Sequence, residues 1–399
     1  MLIETTAGDL RLALDKVKPA VQRRCTVPVL SCVLLADGGV TATDLDHEIM
    51  VKFAAKRFQG RVAIPFQSLF SLIKALPTGT DIRLQDSDRK TLSGKEGYGV
   101  FVTFTGGRYW LPSISASDFP EFPKAGTRIK CKAPDNFLAA VQACQPFIST
   151  EETRYYLNGV CFTKNPEGRD VVVATDGHRM IAHDLDHGME GNLILPRKVL
   201  PSLLGLPVPT RIYRTETRIE FDMPGARLRT KLIDGAFPDW TRVIPTIPEN
   251  APEVGFDPRK MQAVLKRMRI GACNRSGNTV DICATASGET VVITSMAPDG
   301  EECSERLEGA IASNWSKLSK GIISFNSRYL IELCQTHAQE DEIVLTGADA
   351  GGPVRIGAEN SKKLTILMPM RGGNGLGRQA LMALSRASND AGHLAQEVA

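Results

Sequence analysis

Pro65, Pro196 and Asn326 stand 131 and 130 residues apart, each between a short apolar run and apolar residues at helical spacing. The three stretches read VAIPFQSLFSLIKALP (62–77), LILPRKVLPSLLGLP (193–207) and IISFNSRYLIELCQ (322–335). Proline suits the first turn of a helix and asparagine its N-cap, so one structural task recurs three times. A second element recurs upstream, at 5–18, 133–145 and 256–270, where Asp9, Asp135 and Asp257 mark the starts of amphipathic helices. A third recurrence is ATDLDHEI (42–49) against ATDGHRMI (174–181). The common period is near 133, one third of the 399 residues, which predicts a triplicated domain.

Strand-like runs fill each copy, among them VPVLSCVLLA (27–36), GVCFT (159–163), VVVAT (171–175) and TVVITS (290–295). Residues 218–233 predict a hairpin about Pro224-Gly225. Two helices and several strands per copy give an α+β class. The expected divisions are 1–125, 126–249 and 250–372, with Pro-rich linkers at 112–123 and 245–252 and a flexible extension over 373–399.

Charge narrows the function. With 48 Lys+Arg against 45 Asp+Glu the net charge is +3, too small to hold nucleic acid by bulk attraction alone. The residues are unevenly placed, however. Positions 258–275 carry Arg259, Lys260, Lys266, Arg267, Arg269 and Arg275 and no acid, and 9–24 carry Arg11, Lys16, Lys18, Arg23 and Arg24 against Asp9 and Asp15. Positions 299–308 hold five acids and one arginine. For one helix such bias means a solvated face; its recurrence in equivalent helices raises a functional reading. Arg227 and Arg229 also read as cross-strand partners of Asp222 and Glu220.

Nine dispersed cysteines without a C-x-x-C, no basic leader and no apolar run of membrane length predict a soluble, intracellular, cytoplasmic chain. No P-loop, H-E-x-x-H or G-x-S-x-G motif occurs. His178, His183 and His187 with Asp184 and Asp186 share no strand face, and they read as turn and surface residues rather than a metal site. The pairs Asp44/Asp46 and Asp184/Asp186 read as strand-end turns rather than a carboxylate centre. No catalytic residue, metal or cofactor is expected.

TRYYLNGVCF (153–162), VATDGHRMIAHDL (173–185), LPRKVL (195–200), KLIDGAFPDWTRVIP (231–245) and ILMPMR (366–371), in this order, resemble the bacterial β sliding clamps. TVPVLSCVLL (26–35) and ATDLDHEI extend the resemblance toward the N-terminus. It implies three copies of a DNA-clamp domain per chain and two chains closed head to tail into a six-domain ring, with helices lining the pore and strands outside. It also implies a non-catalytic processivity factor that encircles duplex DNA without reading sequence, and a homodimer. The implied partners are the replicative polymerase α subunit, the clamp loader, and other polymerases and repair proteins, with no membrane partner. A monomeric DNA-binding scaffold that does not encircle DNA is the alternative, and a hydrolase centred on His178 a third reading.

By the same resemblance Arg24, Arg154, Tyr155, Tyr156, Arg197 and Lys198 contact DNA. The tyrosines fall in an expected strand, and Glu151 stands where a neutral polar residue is usual. A partner-peptide cleft is implied at Leu157, Thr175, Gly177, His178, Arg179, Met180, Pro238, Arg242, Val243, Asn326, Tyr329, Ile366, Met368, Pro369, Met370 and Arg371, with methionine and leucine forming the groove and histidine and arginine its rim. Arg269 and Ile270 fall near the implied dimer contact, where apolar residues are usual. The extension beyond Arg371 departs from the family; its segment 379–384 faintly resembles a clamp-binding peptide.

Overall fold

Thr6 caps the first helix, Ala7–Val17: its hydroxyl oxygen accepts from the Asp9 amide at 3.1 Å and donates to the Asp9 carboxylate at 2.6 Å. Asp9 therefore lies in the first turn rather than at the start, because a hydroxyl three residues earlier reaches the free amide. Asp257 caps Pro258–Met268 and Asn326 caps Ser327–Thr336, each accepting the amide two residues on. Pro65 precedes Phe66–Ala75, and Pro196 precedes a 3-10 turn leading into Leu200–Leu204. The helix expected from Asp135 begins at Phe137. The recurring strand-then-helix units are thus present at all three positions.

The computed structural model describes residues 1–22, 26–90, 96–122, 129–189, 191–318, 321–358, 361–371 and 379–380. The chain falls into two compact units, 1–138 with 189–235 and 139–188 with 236–399.

In the first unit eight antiparallel strands follow in the order Ile129–Lys132, Arg211–Arg214, Arg218–Met223, Ala226–Lys231, His47–Lys52, Gly39–Thr43, Cys32–Ala36 and Val62–Pro65. The expected hairpin is present, turning at Gly225 with φ +70°. Its register sets Glu220 against Arg229 and Asp222 against Arg227, and Arg229 bonds Glu220 at 2.9 Å and Glu48 at 3.3 Å. Residues 28–31 form a 3-10 turn, so the strand expected from residue 27 begins at Cys32. The stretch 112–123 is no free linker. Ala116 and Phe119 are buried against Cys32, Leu34 and Ala63.

In the second unit the strands Gly159–Lys164, Asp170–Thr175, Arg179–Asp184, Lys363–Leu367, Val354–Gly357, Ile343–Gly347, Glu253–Phe256 and Ile311–Ser313 pair in that order. Side chains alternate across them. Leu367, Val354, Ile356 and Leu345 enter the core with Met261, Leu265, Leu330 and Leu333 of the helices Pro258–Met268 and Ser327–Thr336. Ile366, Met180, Ala182, Val171 and Val173 instead surround Trp240. A separate sheet orders Glu302–Arg306, Val291–Met296, Thr279–Ala284 and Ile322–Asn326. Here the basic helix and the acidic strand are neighbours, and Arg267 pairs with Glu305.

A buried polar knot fixes the Lys363–Leu367 strand. His337 places Nδ1 2.6 Å from Glu340 and Nε2 3.0 Å from the Thr365 hydroxyl, while Lys363 reaches Glu340 at 3.1 Å. Burial pushes the Glu340 carboxyl up, but hydrogen bonds from His337 and Lys363 outweigh it and bring it to about 2. A depressed carboxyl contributes stability above its unfolded value, about 4.3, and that stability is lost as pH falls toward about 2. The urea midpoint is therefore expected to drop across this window, and Glu340→Gln to flatten the drop. An unflattened acid limb in the variant contradicts the assignment.

Candidate functional site

Residues Thr175 to Arg179 form a tight turn joining two strands of the second unit. Asp176 accepts the amides of His178 at 2.9 Å and Arg179 at 3.0 Å. The Thr175 hydroxyl donates to the Arg179 carbonyl at 2.8 Å and accepts from the Gly177 amide at 3.1 Å. Gly177 has φ +87°, a conformation that favours glycine, and a Cβ there would come within 2.9 Å of Arg154 Nη1.

Arg179 is held from several sides. Nε donates to Asp176 at 2.9 Å, and Nη2 donates to the Pro146 carbonyl at 2.6 Å and pairs with Glu332 at 2.7 Å. Its guanidinium lies 4.3 Å from the Tyr329 ring centroid and 5.1 Å from that of Phe147. Only 7% of the residue is exposed. The exposed rim position expected of it is therefore corrected: Arg179 is buried and braces the turn that carries His178. The His178 ring, which is exposed, stacks near-parallel on Tyr329 at 6.1 Å. Burial raises the Tyr329 hydroxyl, and the nearby Asp176 charge adds to this.

The segment after the Lys363–Leu367 strand is stitched on both sides. The Met368 amide donates to the His178 carbonyl and the Met370 amide to the Ser324 carbonyl, each at 2.8 Å. Leu157, Met180 and Ile366 are buried and do not line an open surface. Met180 and Ile366 face each other across the strands and rest on Trp240. Val243 at 46% and Met368 at 38% are the exposed large apolar groups of the set. Pro238, Arg242 and Arg371 are exposed, and Thr175, Asn326, Tyr329, Pro369 and Met370 are half-buried. Arg242 pairs with Asp239, which caps the 3-10 turn Trp240–Val243. All sixteen expected cleft residues fall in the second unit. Sequence reasoning missed Asp176, Glu332 and Trp240, the residues that support the others. The Asp176 role had a signal, since an Asp-Gly turn before Arg179 invites amide capping.

A cavity of about 250 Å³ opens beside Trp240, between Val171, Ala182, Ile244 and Leu364, and none of the sixteen residues lines it. Among the described residues no group of three or more His, Cys, Asp or Glu could hold a metal ion.

The expected DNA-contact residues lie in both units. Arg24 is outside the described residues. Arg154, Tyr155 and Tyr156 sit in a 3-10 segment, Glu152–Leu157, rather than the expected strand. Tyr155 is exposed and meets Tyr156 edge-on at 5.8 Å. Arg154 Nε lies 3.4 Å from Glu151. In the first unit Arg197 is exposed, and Lys198 pairs with Asp44 and lies 3.9 Å from Asp46. Burial pushes Asp44 up, but hydrogen bonds from His47 and Lys198 reverse this and hold its carboxyl well below the usual range. Each carboxylate partner tempers the local positive field. The Arg154–Glu151 pair is exposed on both sides and worth about 0–1 kcal/mol, so a phosphate can displace it, whereas the Asp44 carboxylate that holds Lys198 is buried.

Two family models match the chain, the N-terminal domain of the DNA polymerase III beta subunit over residues 3–123 and its central domain over 133–239. The beta sliding clamp of Caulobacter vibrioides is 31% identical over 341 residues, covering 81% of this chain and 87% of that protein. The beta sliding clamp of Escherichia coli K12 is 27% identical, covering 90% and 96%. Among solved structures, the sliding clamp of Bartonella birtlesii bound to griselimycin has a TM-score of 0.79 at 28% identity, covering 93% of this chain and all of that one. The DNA polymerase sliding clamp of Caulobacter crescentus has a TM-score of 0.77 at 29% identity, with the same coverage. The chain belongs to the bacterial DNA polymerase III beta-subunit family, the β sliding clamps.

Proposed function

We propose that this clamp, a non-catalytic DNA processivity factor, grips its partners through the second unit's apolar cleft and DNA through exchangeable basic contacts. The observation that carries the cleft is that exposed Met368 follows Ile366, which packs on Trp240, and donates its amide to the carbonyl of His178, whose ring stacks on Tyr329, while Val243 is exposed three residues after Trp240. Methionine-lined surfaces repack around different apolar side chains, which suits one cleft to several partners. Those partners are short peptide segments of the replicative polymerase α subunit, the clamp loader, and other polymerases and repair proteins. The cleft takes in the sixteen residues named for it. Replacing the two exposed groups together, Val243→Asp with Met368→Asp, is expected to weaken a fluorescent apolar peptide more than tenfold while the thermal midpoint stays unchanged. Unaltered affinity contradicts the reading.

Two chains closing head to tail make the ring, each contributing three domains, 1–125, 126–249 and 250–372; the recurrent capped strand–helix units support that division. The chain acts in the cytoplasm, and no helix among the described residues is long and apolar enough to cross a membrane. Arg154, Tyr155, Tyr156, Arg197, Lys198 and Arg24 touch the DNA backbone without reading bases. A clamp held by topology needs weak contacts, and Arg154 and Lys198 already carry carboxylate partners. Glu151→Gln is expected to release Arg154 for one further phosphate contact. The slope of log K against log salt on linear duplex should then steepen by about 0.9. An unchanged slope means that Glu151 does not temper the contact.

A further inference from the structure

We propose that the sheet face beside Trp240 holds an extended acidic–apolar segment of a partner protein, with one carboxylate seated on Arg355 and one apolar side chain in the cavity on either side. The cavity of about 250 Å³ next to Trp240 adjoins a second of about 330 Å³, and both are lined by Arg355 and Lys363. The sheet register accounts for the arrangement. Arg355 stands opposite Ile366 on one neighbouring strand and Thr346 on the other. Residues directly opposite share a face, and Ile366 packs on Trp240, so Arg355 emerges on the Trp240 side. Val354 and Ile356 point the other way, into the core. None of the sixteen cleft residues lines either cavity, so this site is separate from the cleft.

The other cations lining the first cavity are engaged. Arg169 pairs with Asp184, Lys362 with Asp186 at 2.9 Å and Lys363 with Glu340 at 3.1 Å. The Arg355 side chain is exposed and has no hydrogen-bond or ion-pair partner among the described residues, so its forked donors can take a carboxylate. Leu364 and Ile244 in the first cavity and Val344 and Ile247 in the second are half-buried, which leaves apolar surface on each side for a ligand to cover. The spacing selects an extended peptide. Ala182 in the first cavity and Val344 in the second are three strand steps apart, about 14 Å at about 4.8 Å per step. An extended chain sets side chains i and i+4 on one side about 13 Å apart, with i+2 between them. Apolar residues at i and i+4 with an acid at i+2 therefore match the two cavities and the cation between them. Glu167, Asp184 and Glu253 also line the cavities, and they disfavour a run of phosphates over a single carboxylate.

The test uses the full chain and, as probe, the fluorescein-labelled peptide Ser-Leu-Ser-Glu-Ser-Leu-Ser, with fluorescence anisotropy as the readout. The proposal predicts that binding weakens at least tenfold when the glutamate is replaced by glutamine, or is moved one position so that it points away. Arg355→Ala should weaken the original probe by a similar factor with the thermal midpoint unchanged, and Arg355→Glu should bind the lysine counterpart of the probe in preference to the original. Val243→Asp with Met368→Asp should leave probe affinity within twofold. No binding, or affinity indifferent to Arg355 and to the glutamate, overturns the proposal. Binding lost in the Val243 and Met368 variant but kept in Arg355→Ala assigns the probe to the cleft, which overturns this site and leaves the cleft standing. Displacement of the probe from Arg355 by a short duplex oligonucleotide assigns the face to nucleic acid and likewise overturns the peptide.

Discussion

Arg179→Ala is expected to cost the second unit about 3–5 kcal/mol, because it removes one partner of a buried charge cluster and leaves the other groups without it. Asp176 loses its one side-chain donor but keeps the two backbone amides, the Pro146 carbonyl loses its guanidinium donor, and the Phe147 and Tyr329 rings lose the nearby cation. The turn carrying His178 is then held only by the Asp176 and Thr175 caps. Arg179→Lys keeps the charge but not the forked donors, so it should recover only part of the loss. Urea unfolding monitored by tryptophan emission measures both. A loss below about 1 kcal/mol for the alanine variant would show that these contacts do not brace the turn.

Trp240→Ala is expected to cost a similar about 3–5 kcal/mol, by deleting a buried aromatic that packs against Val171, Val173, Met180, Ala182 and Ile366. The functional consequence differs from that of a core mutation elsewhere. Met180 and Ile366 are cross-strand partners that both rest on Trp240, and the strand of Ile366 leads directly into Met368, so the support under that segment is lost when Trp240 is gone. Peptide affinity should fall at least tenfold, and Trp240→Phe, which refills most of the space, should restore most of it. Lost stability with unaltered peptide affinity would separate this aromatic cluster from the cleft.

The two variants show why part of the site was unreadable from sequence. Thr175, Gly177, His178 and Arg179 lie in one recognisable run, and Ile366 to Arg371 in another, so the proposal that they share a cleft could be made from sequence. The partners of Arg179 come from residues 33 and 153 positions away, and no local pattern ties Pro146 or Glu332 to it. The burial of Arg179 follows from those partners, which is why an arginine expected at the rim became a buried brace of the turn. Tyr155 and Tyr156 misled in a different way. Adjacent aromatics favour strands, yet here the preference yields to a 3-10 segment that leaves Tyr155 in solvent. The hairpin about Gly225 and the caps at Asp257 and Asn326 were legible because each depends on residues within a few positions. The pairing of the Ala226–Lys231 strand with His47–Lys52 was not, since it joins segments about 180 residues apart through alternating patterns that many strands share.

The clamp reading stands or falls on topology rather than on affinity. The most direct measurement loads the protein onto a nicked circular duplex, isolates the complex, and follows its release at about 0.2 M salt before and after a single cut linearises the DNA. At this salt, backbone contacts of the kind Arg154 and Lys198 can make are strongly weakened. A protein that encircles DNA stays on the circle and leaves once ends appear. Equal retention on circular and linear DNA would contradict encirclement and favour a scaffold bound to one side of the duplex.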